Sequence, residues 1–426
     1  MSTKINDELF VQTIKNAVKI IKVPLNQFCY IVPIVIKLSL FIRIEYYYIS
    51  DDYAYLNEPC YKNFVAHNMI QDDNLFYVTK KEFTNMITID SEEKGSILYY
   101  ISVHSAMYLP IINIIKSISF TVSHGIDEET FLKHDTFNQN VVDYHIFRAQ
   151  SDVKSDMFNK IYAIDKTKKT ILFEDTSFTF CHVLQENDHV LKKYQNMMFN
   201  HLIKLKSQYN VVIRFHPQYF EFLEHGHDPI CKIIKDNFIV SYIQIPLLDQ
   251  YNNADIIIFN RCTSSGYQSL LCLDKNMICI DMDLDSRKTA KLHGYWLIHE
   301  RNNKYVEDRI ANKRIMNNDI AIIGSEKDIN ICEIVENIEK NNYVIDEKML
   351  DERQKFLQKN FDIDVKIDTN DENSLKFFLT YVLAQVSLHH ETVTNLIKIM
   401  AMDISEIQLK KVIHCIETRT KNKFKI

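Results

Sequence analysis

The chain has 426 residues, of which 46% are hydrophobic and 25% charged, so it is long enough for two or three folded domains and is not intrinsically disordered. Its net charge of −6 argues against a protein that coats nucleic acid, and its 6 glycines argue against glycine-rich nucleotide loops. The 9 cysteines form no C-x-x-C pair, which favours the reduced thiols of a cytoplasmic protein over disulfides or a zinc site.

Residues 1–165 are predicted to form a first α/β domain. Short apolar runs bounded by turn residues predict strands at Ile97–Ser102, Ser119–Ser123 and Val142–Arg148, with a helix at Met107–Lys116. The apolar segment Phe28–Ile42 is shorter than the roughly 20 residues that span a bilayer. It is interpreted as a buried strand or helix, with a membrane-surface element as the alternative.

Strands and helices alternate after a polar hinge at Asp165–Lys169. The predicted strands are Thr170–Glu174, Asn210–Phe215, Phe238–Tyr242, Asp255–Phe259 and Met277–Asp281. The predicted helices are Asp188–Gln208, Pro229–Lys235, Leu247–Asn253 and Ser264–Leu273. This alternation of helices with near-continuous apolar strands predicts a parallel sheet covered on both faces, in a second domain over residues 170–340. A helical region is predicted over residues 341–426, with amphipathic segments at Ser374–Leu388, Thr392–Met402 and Ser405–Thr418.

Polar and ionisable residues stand at the ends of several predicted strands. Ligands of parallel α/β sheets bind outside the carboxyl ends of the strands, so these residues are candidates for a binding site. The candidates are His124, Arg214, His216, Thr263, Ser264, Ser265, Gly266, Asp281 and Asp283.

The segment Thr263–Gly266 opens a predicted helix directly after a strand. The first N–H groups of a helix lack intrahelical partners and carry a partial positive charge, so phosphate can bind there. The hydroxyls add donors, and Gly266 allows a ligand to approach the backbone closely. An ordinary N-cap is the alternative, since Ser and Thr are favoured caps. Arg214 and His216 at another strand end favour the phosphate site.

The order of these motifs resembles that of the CDP-glycerol glycerophosphotransferase family. It is also similar to bacterial capsule glycosyltransferases and polysialyltransferases, which share a His-Pro motif and a Ser-Ser motif. The matching stretches are Phe120–Asp127, Thr170–Thr176, Val211–Pro217 and Asn253–Asp281. The resemblance implies a GT-B architecture, in which two doubly wound Rossmann-like domains face each other across a cleft. The first would bind the acceptor and the second the nucleotide donor.

The resemblance also implies roles for particular residues. His124 matches the first-domain histidine that serves as general base, and His216 matches the histidine that contacts the donor phosphates. Ser264 and Ser265 match the pair at the phosphate-binding helix. Glu174-Asp175-Thr176 stands where the family favours Ala-Pro-Thr, so a glycosyl donor is at least as well supported as a glycerophosphate donor.

The carboxylates between Asp281 and Asp285 allow three interpretations: a structural loop, a nucleotide contact through Asp281 and Asp283, or a metal site. We expect no metal and no cofactor, because the nucleotide-activated donor would be a substrate. P-loop, dinucleotide-binding and H-E-x-x-H motifs are absent from the sequence, which argues against ATPases, classical dehydrogenases and zinc proteases.

The resemblance, together with these residues, implies an inverting, metal-independent transferase that moves a sugar or a polyol phosphate to a glycan or lipid-linked acceptor. It would build a cell-surface polysaccharide such as a capsule, a teichoic-acid-like polymer or a lipopolysaccharide glycan. The alternatives are a UDP-sugar 2-epimerase of the same fold and a catalytically inactive nucleotide-binding or scaffold protein of a capsule assembly complex. We expect a cytoplasmic protein without a nucleic-acid partner. Peripheral contact with the inner membrane would use Phe28–Ile42 and the basic tail Lys421–Lys425.

Overall fold

The structure is a computed structural model in which the chain forms two compact units. The first comprises Met1–Gln150 and Val365–Ile426, and the second comprises Ser151–Asp364. The described residues are 10–14, 18–25, 39, 41–50, 62, 65, 71–92, 97–102, 119–122, 141–142, 147–148, 156–175, 198–215, 229–241, 247–260, 270, 274–281, 318–325, 329–340, 343–361, 367–368, 376, 379–380, 383–384, 390–401, 406, 409–410, 413–414 and 417.

Six parallel strands form the sheet of the first unit, in the order β3-β2-β1-β4-β5-β6. The strands are β1 (Ile20–Pro24), β2 (Arg43–Ile49), β3 (Leu75–Val78), β4 (Ile97–Ser102), β5 (Ser119–Val122) and β6 (Val141–Val142). Counted along the chain the order is 3-2-1-4-5-6, which is the doubly wound order of Rossmann folds.

Helix α1 (Lys80–Glu92) lies between β3 and β4 in the chain. It begins with a capping box, because Thr79 Oγ1 accepts a hydrogen bond from the Glu82 N–H while Glu82 Oε2 accepts one from the Thr79 N–H. Phe83 and Ile87, four residues apart, are buried on one face of the helix. They pack in the core cluster Tyr47, Ile49, Phe83, Ile87 and Tyr99.

A buried ion pair joins α1 to this sheet. Lys22 Nζ lies 2.6 Å from Asp90 Oδ2, and both side chains are 8% exposed. Tyr99, in register with Lys22, donates its hydroxyl proton to the same carboxylate. Burial, and after it the hydrogen bond to Asp90, raises the pKa of Tyr99, so the phenol stays a hydrogen-bond donor. Asp90 therefore has two partners.

The second unit has its own six-stranded parallel sheet, in the order β10-β9-β8-β11-β12-β13. The strands are β8 (Lys169–Asp175), β9 (Tyr209–Phe215), β10 (Ile239–Ser241), β11 (Ile256–Asn260), β12 (Asn276–Asp281) and β13 (Ile322–Ser325). The order along the chain is again 3-2-1-4-5-6. Helices that the structure describes in this unit include α2 (Asp156–Ile161), α3 (Pro229–Asn237), α4 (Leu247–Asn253), α5 (Ile331–Glu339) and α6 (Glu347–Phe361).

One side chain of helix α6 binds the chain just before strands β12 and β13. Arg353 is 1% exposed, and its Nε donates to the Ile320 carbonyl while Nη1 donates to the Lys275 carbonyl. Both carbonyls lie just before their strands begin. Burial lowers the pKa of Arg353 to about 10, with Asp274 acting in the opposite direction. Arg353 therefore links α6 to the amino ends of two neighbouring strands.

The last part of the chain returns to the first unit. Strand β14 (Ile367–Asp368) pairs in parallel with β7 (Phe147–Arg148) in a small separate sheet. Lys376 Nζ lies 5.7 Å from the centre of the Phe10 ring, a distance at which a cation is attracted to an aromatic face. The segment continues into helix α7 (His390–Ala401).

Two doubly wound Rossmann-like sheets confirm the predicted α/β fold class. The predicted strand Val142–Arg148 is wrong, because the structure has two short strands there, β6 and β7, which belong to different sheets. The units divide after Gln150 and Asp364. The sequence analysis instead placed the boundaries at 165–170 and 341. Met107–Lys116, nearly all of Ser264–Leu273 and most of Phe28–Ile42 lie outside the described residues. None of the helices that the structure describes is long and apolar enough to cross a membrane.

Candidate functional site

The carboxyl edge of the second sheet is the candidate site. All six strands are parallel, so their carboxyl ends meet at one edge. From β8 the chain proceeds to β9 and β10 on one side, and from β11 to β12 and β13 on the other. The strand order therefore reverses between β8 and β11, where Glu174 is in register with Phe259. Ligands of doubly wound sheets bind at this switch point.

Topology brings the donor-side candidates to this edge. Arg214 is the penultimate residue of β9, and His216 follows that strand directly. Thr263–Gly266 begins three residues after the end of β11, and Asp281 is the last residue of β12. The structure describes the side chain of Arg214 and the backbone of Asp281. The remaining donor-side candidates, His216, Thr263, Ser264, Ser265, Gly266 and Asp283, lie outside the described residues and stay predictions.

Arg214 forms a buried ion pair with Glu174, its register partner on β8. Arg214 Nη1 donates to Glu174 Oε1 at 2.8 Å, and the two side chains are 9% and 1% exposed. Removing two charges from water costs several kcal/mol per ion, which their mutual attraction offsets only in good geometry. The Arg214 guanidinium is therefore already bound to a carboxylate. Its predicted contact with the donor phosphate stays a prediction.

Sequence reasoning missed Glu174 as a site residue. The available signal was a single acidic residue closing the apolar run Thr170–Glu174, at a position that a buried strand would fill with an apolar side chain. Glu174 Oε2 is buried, and it has no hydrogen-bond partner in the part of the chain that the structure describes. Native proteins rarely leave a buried polar atom unpaired, so such an atom indicates a functional contact or a bound water.

A second polar contact lies beside this pair. Ser241 on β10 is in register with Arg214, so both side chains occupy the same face of the sheet. Ser241 Oγ donates to Gln250 Oε1 on α4 at 2.8 Å. Its only proton is then used, so the Tyr162 hydroxyl, 2.5 Å from Ser241 Oγ, is the donor to the serine. Hydrogen bonds therefore connect the row of polar residues across β10, β9 and β8 to Gln250 on α4 and to Tyr162, which follows α2.

His124, the predicted general base, belongs to the first unit. It lies two residues beyond the end of β5, outside the described residues, and its role stays a prediction. The reversal of strand order in this unit falls between β1 and β4, and β5 is the next strand beyond β4. His124 therefore follows a strand that is one position from the switch point.

The described residues contain no group of three or more His, Cys, Asp or Glu side chains placed to hold a metal ion. The described cysteines Cys279 and Cys332 are both free thiols.

Comparison with family models and with curated proteins finds no match. Solved structures similar to this chain include a glycosyltransferase from Rickettsia africae ESF-5, with a TM-score of 0.40 and 10% identity over 87% of this chain and 99% of that one. MurG from Acinetobacter baumannii has a TM-score of 0.33 and 10% identity, over 86% of this chain and 99% of that one. A UDP-N-acetylglucosamine 2-epimerase has a TM-score of 0.36 and 10% identity, over 81% of this chain and 91% of that one.

These similarities are weak, so the fold rests on the strand orders of the two sheets themselves. The class that the fold defines is a chain with two Rossmann-like domains, and the switch point of the second sheet is its candidate ligand-binding edge.

Proposed function

We propose that the chain is a transferase of the GT-B type that takes a sugar or a polyol phosphate from a nucleotide-activated donor. The observation that carries the proposal is the position of the donor-side candidates in the second unit. They follow three strands of one doubly wound sheet, β9, β11 and β12, which lie on both sides of its switch point. Nucleotides bind at this place in doubly wound sheets.

The proposed chemistry needs a base and a site for the departing phosphate. An acceptor hydroxyl oxygen forms a bond to the donor carbon or phosphorus, and His124 takes its proton, because the pKa of a histidine lies near neutrality. The bond between the transferred group and the nucleotide phosphate breaks, and the phosphate leaves with the electron pair. His216 and the hydroxyls and N–H groups of Thr263–Gly266 would stabilise that charge without a metal ion. A single displacement at a sugar carbon inverts its configuration.

The proposed setting is the assembly of a cell-surface polysaccharide on a glycan or lipid-linked acceptor. The protein would work in the cytoplasm, at the inner face of the membrane. The basic tail Lys421–Lys425 supports peripheral contact, since each Lys or Arg near an anionic surface contributes roughly 1 kcal/mol. Such contact is electrostatic, so washing membranes with high salt should release the protein, and retention until detergent is added would contradict a peripheral location.

Two measurements test the proposed activity. The first is a thermal-shift screen of UDP-, CDP-, GDP- and CMP-linked compounds, because a ligand at 100 times its Kd stabilises a protein by about 2.7 kcal/mol. The second is the release of free nucleotide from the compound that binds, with and without an acceptor glycan. A transferase releases nucleotide when the acceptor is present, whereas an epimerase converts the sugar without acceptor and a scaffold protein converts nothing.

A further inference from the structure

Glu174 lies at the centre of the candidate site. It is the penultimate residue of β8, and its neighbours in register are Arg214 on β9 and Phe259 on β11. The site therefore places one carboxylate directly at the switch point, between the strand followed by His216 and the strand followed by Thr263–Gly266. The roles proposed above for His124, His216 and Thr263–Gly266 do not involve the Glu174 carboxylate.

The two oxygens of Glu174 have different surroundings. Oε1 accepts a hydrogen bond from Arg214 Nη1 at 2.8 Å, which holds the carboxylate in one orientation. Oε2 is buried and has no partner within the described parts of the chain. Phe259, on the other side, offers no polar group. An ionised carboxylate accepts hydrogen bonds and donates none, so a ligand group that satisfies Oε2 must be a donor.

The buried ion pair of the first unit has a different place in its sheet. Asp90 is also buried beside a cation, and its Oδ2 accepts hydrogen bonds from both Lys22 Nζ and the Tyr99 hydroxyl. Lys22 and Tyr99 are third residues of β1 and β4, so that pair lies away from the carboxyl ends of its sheet. Glu174 is one residue from the carboxyl end of its strand.

We infer that Glu174 determines donor specificity: its Oε2 accepts a hydrogen bond from a hydroxyl of the transferred group and disfavours donors whose transferred group carries a negative charge. The inference rests on the proposed function and specifies the substrate class as nucleotide-linked neutral sugars. A hydroxyl satisfies the unpaired oxygen, whereas a carboxylate on the transferred group would bring two like charges together in a site with little water.

The experiment compares two donors that differ by one carboxylate, UDP-glucose and UDP-glucuronic acid, by calorimetric titration of the full chain. If the nucleotide screen selects guanine, GDP-mannose and GDP-mannuronic acid replace them. If it selects cytosine, CDP-glucose and CDP-glucuronic acid replace them. The variant is Glu174→Gln, which keeps an oxygen for Arg214 and removes the negative charge. The matched control is Asp90→Asn, a buried carboxylate of the other unit with no place in the site.

The wild type is expected to bind the neutral donor about tenfold more tightly than the uronate, since hydrogen bonds to charged groups correspond to roughly 10- to 150-fold in affinity. Glu174→Gln should reduce this ratio to below about threefold, and Asp90→Asn should keep the wild-type ratio.

The inference is overturned if the wild type prefers the uronate or binds both donors equally, if CMP-linked sialic acid is the tight ligand, or if Glu174→Gln keeps the wild-type ratio. The wild-type ratio decides the matter even if Glu174→Gln does not fold. If no nucleotide of the screen binds, the proposed function itself fails. If a nucleotide binds but Glu174→Gln changes no ratio, only the role of Glu174 fails.

Discussion

Buried charges serve two purposes in this chain. The pair Lys22–Asp90 holds α1 on the first sheet, and Tyr99 donates a second hydrogen bond to the same carboxylate oxygen. The pair Arg214–Glu174 lies at the carboxyl edge of the second sheet and leaves one buried oxygen unpaired among the described residues. A buried oxygen without a partner at that edge indicates a functional contact or a bound water.

The first pair gives a stability prediction. Asp90→Ala should lower the free energy of unfolding by about 3–5 kcal/mol, because it leaves the Lys22 charge buried without its carboxylate. Urea denaturation monitored by circular dichroism measures the effect. The control is Lys355→Ala on α6, whose ion pairs with Asp351 and Glu352 are exposed and should contribute little. Equal effects of the two substitutions would show that the Lys22–Asp90 contact is not stabilising.

The predicted general base gives a kinetic test. His124→Ala should leave nucleotide binding near the wild-type value and reduce kcat by about 10²–10⁴-fold, the usual contribution of general base catalysis. Steady-state turnover of the donor, together with calorimetric nucleotide titration, separates the two quantities. Full turnover by the variant would remove His124 from the mechanism, and a loss of nucleotide binding would place it on the donor side.

At the residue scale, Arg214 could be predicted as a site residue from the sequence, because it lies near the end of an apolar strand that precedes a His-Pro dipeptide. Its partner could not be predicted in the same way. Pairing with Glu174 depends on the register of β8 against β9, and register is set by the packing of the whole sheet. The unpaired Oε2 is visible only once the neighbours on both strands are known.

At the scale of elements, Gly324 of β13 and Ile329, two residues before α5 (Ile331–Glu339), lie very close together. A Cβ added to Gly324 would lie 2.4 Å from Ile329 Cδ1 and 2.6 Å from its Cγ1. Ile329 is 5% exposed, so this side chain has little room to move. Only glycine fits beside it.

Gly324→Ala should therefore lower the free energy of unfolding by about 1–3 kcal/mol, the usual cost of overpacking a core. Adding Ile329→Ala to the same chain should relieve the clash, so the double variant should be more stable than the sum of the two single effects predicts. Thermal or urea unfolding of the four proteins measures the coupling. Strict additivity would show that the two side chains do not compete for space.

Strands with continuous apolar runs were predictable, and two strands whose apolar runs are interrupted by charged residues were not. The strand Ile97–Ser102 and the helix Leu247–Asn253 have the bounds that the sequence predicted. β1 and β2 were missed because Lys22, Arg43 and Glu45 interrupt their apolar runs. Burial of Lys22 depends on Asp90, a partner 68 positions away that the local sequence does not show.

At the scale of the whole molecule, the chain consists of two units with the same strand order, and its last segment belongs to the first. The assignment of the last segment to the first unit could not be predicted from helical periodicity, since it depends on long-range contacts such as that of Lys376 with Phe10. The alternation of strands and helices did predict the doubly wound class of the second unit.

The division into units gives a prediction for truncation. Removing residues 365–426 takes away buried side chains such as Leu383 and Leu396, which belong to the first unit. Amide hydrogen exchange should then become faster in β1, β2 and β4, while β8, β9 and β11 keep their protection, because local stability follows local packing. Faster exchange confined to the second unit would contradict the assignment of this segment.

The central claim is that the second unit binds a nucleotide at the switch point of its sheet. Calorimetric titration of UDP, CDP, GDP and CMP into the wild type, His216→Ala and Ser265→Ala tests it most directly. We predict that the wild type binds at least one nucleotide and that each substitution weakens that binding by about 1.5–3 kcal/mol, the value of a hydrogen bond to a charged group. Asp90→Asn should bind as the wild type does. Equal affinity of His216→Ala, Ser265→Ala and the wild type, or no binding of any nucleotide, would contradict the claim.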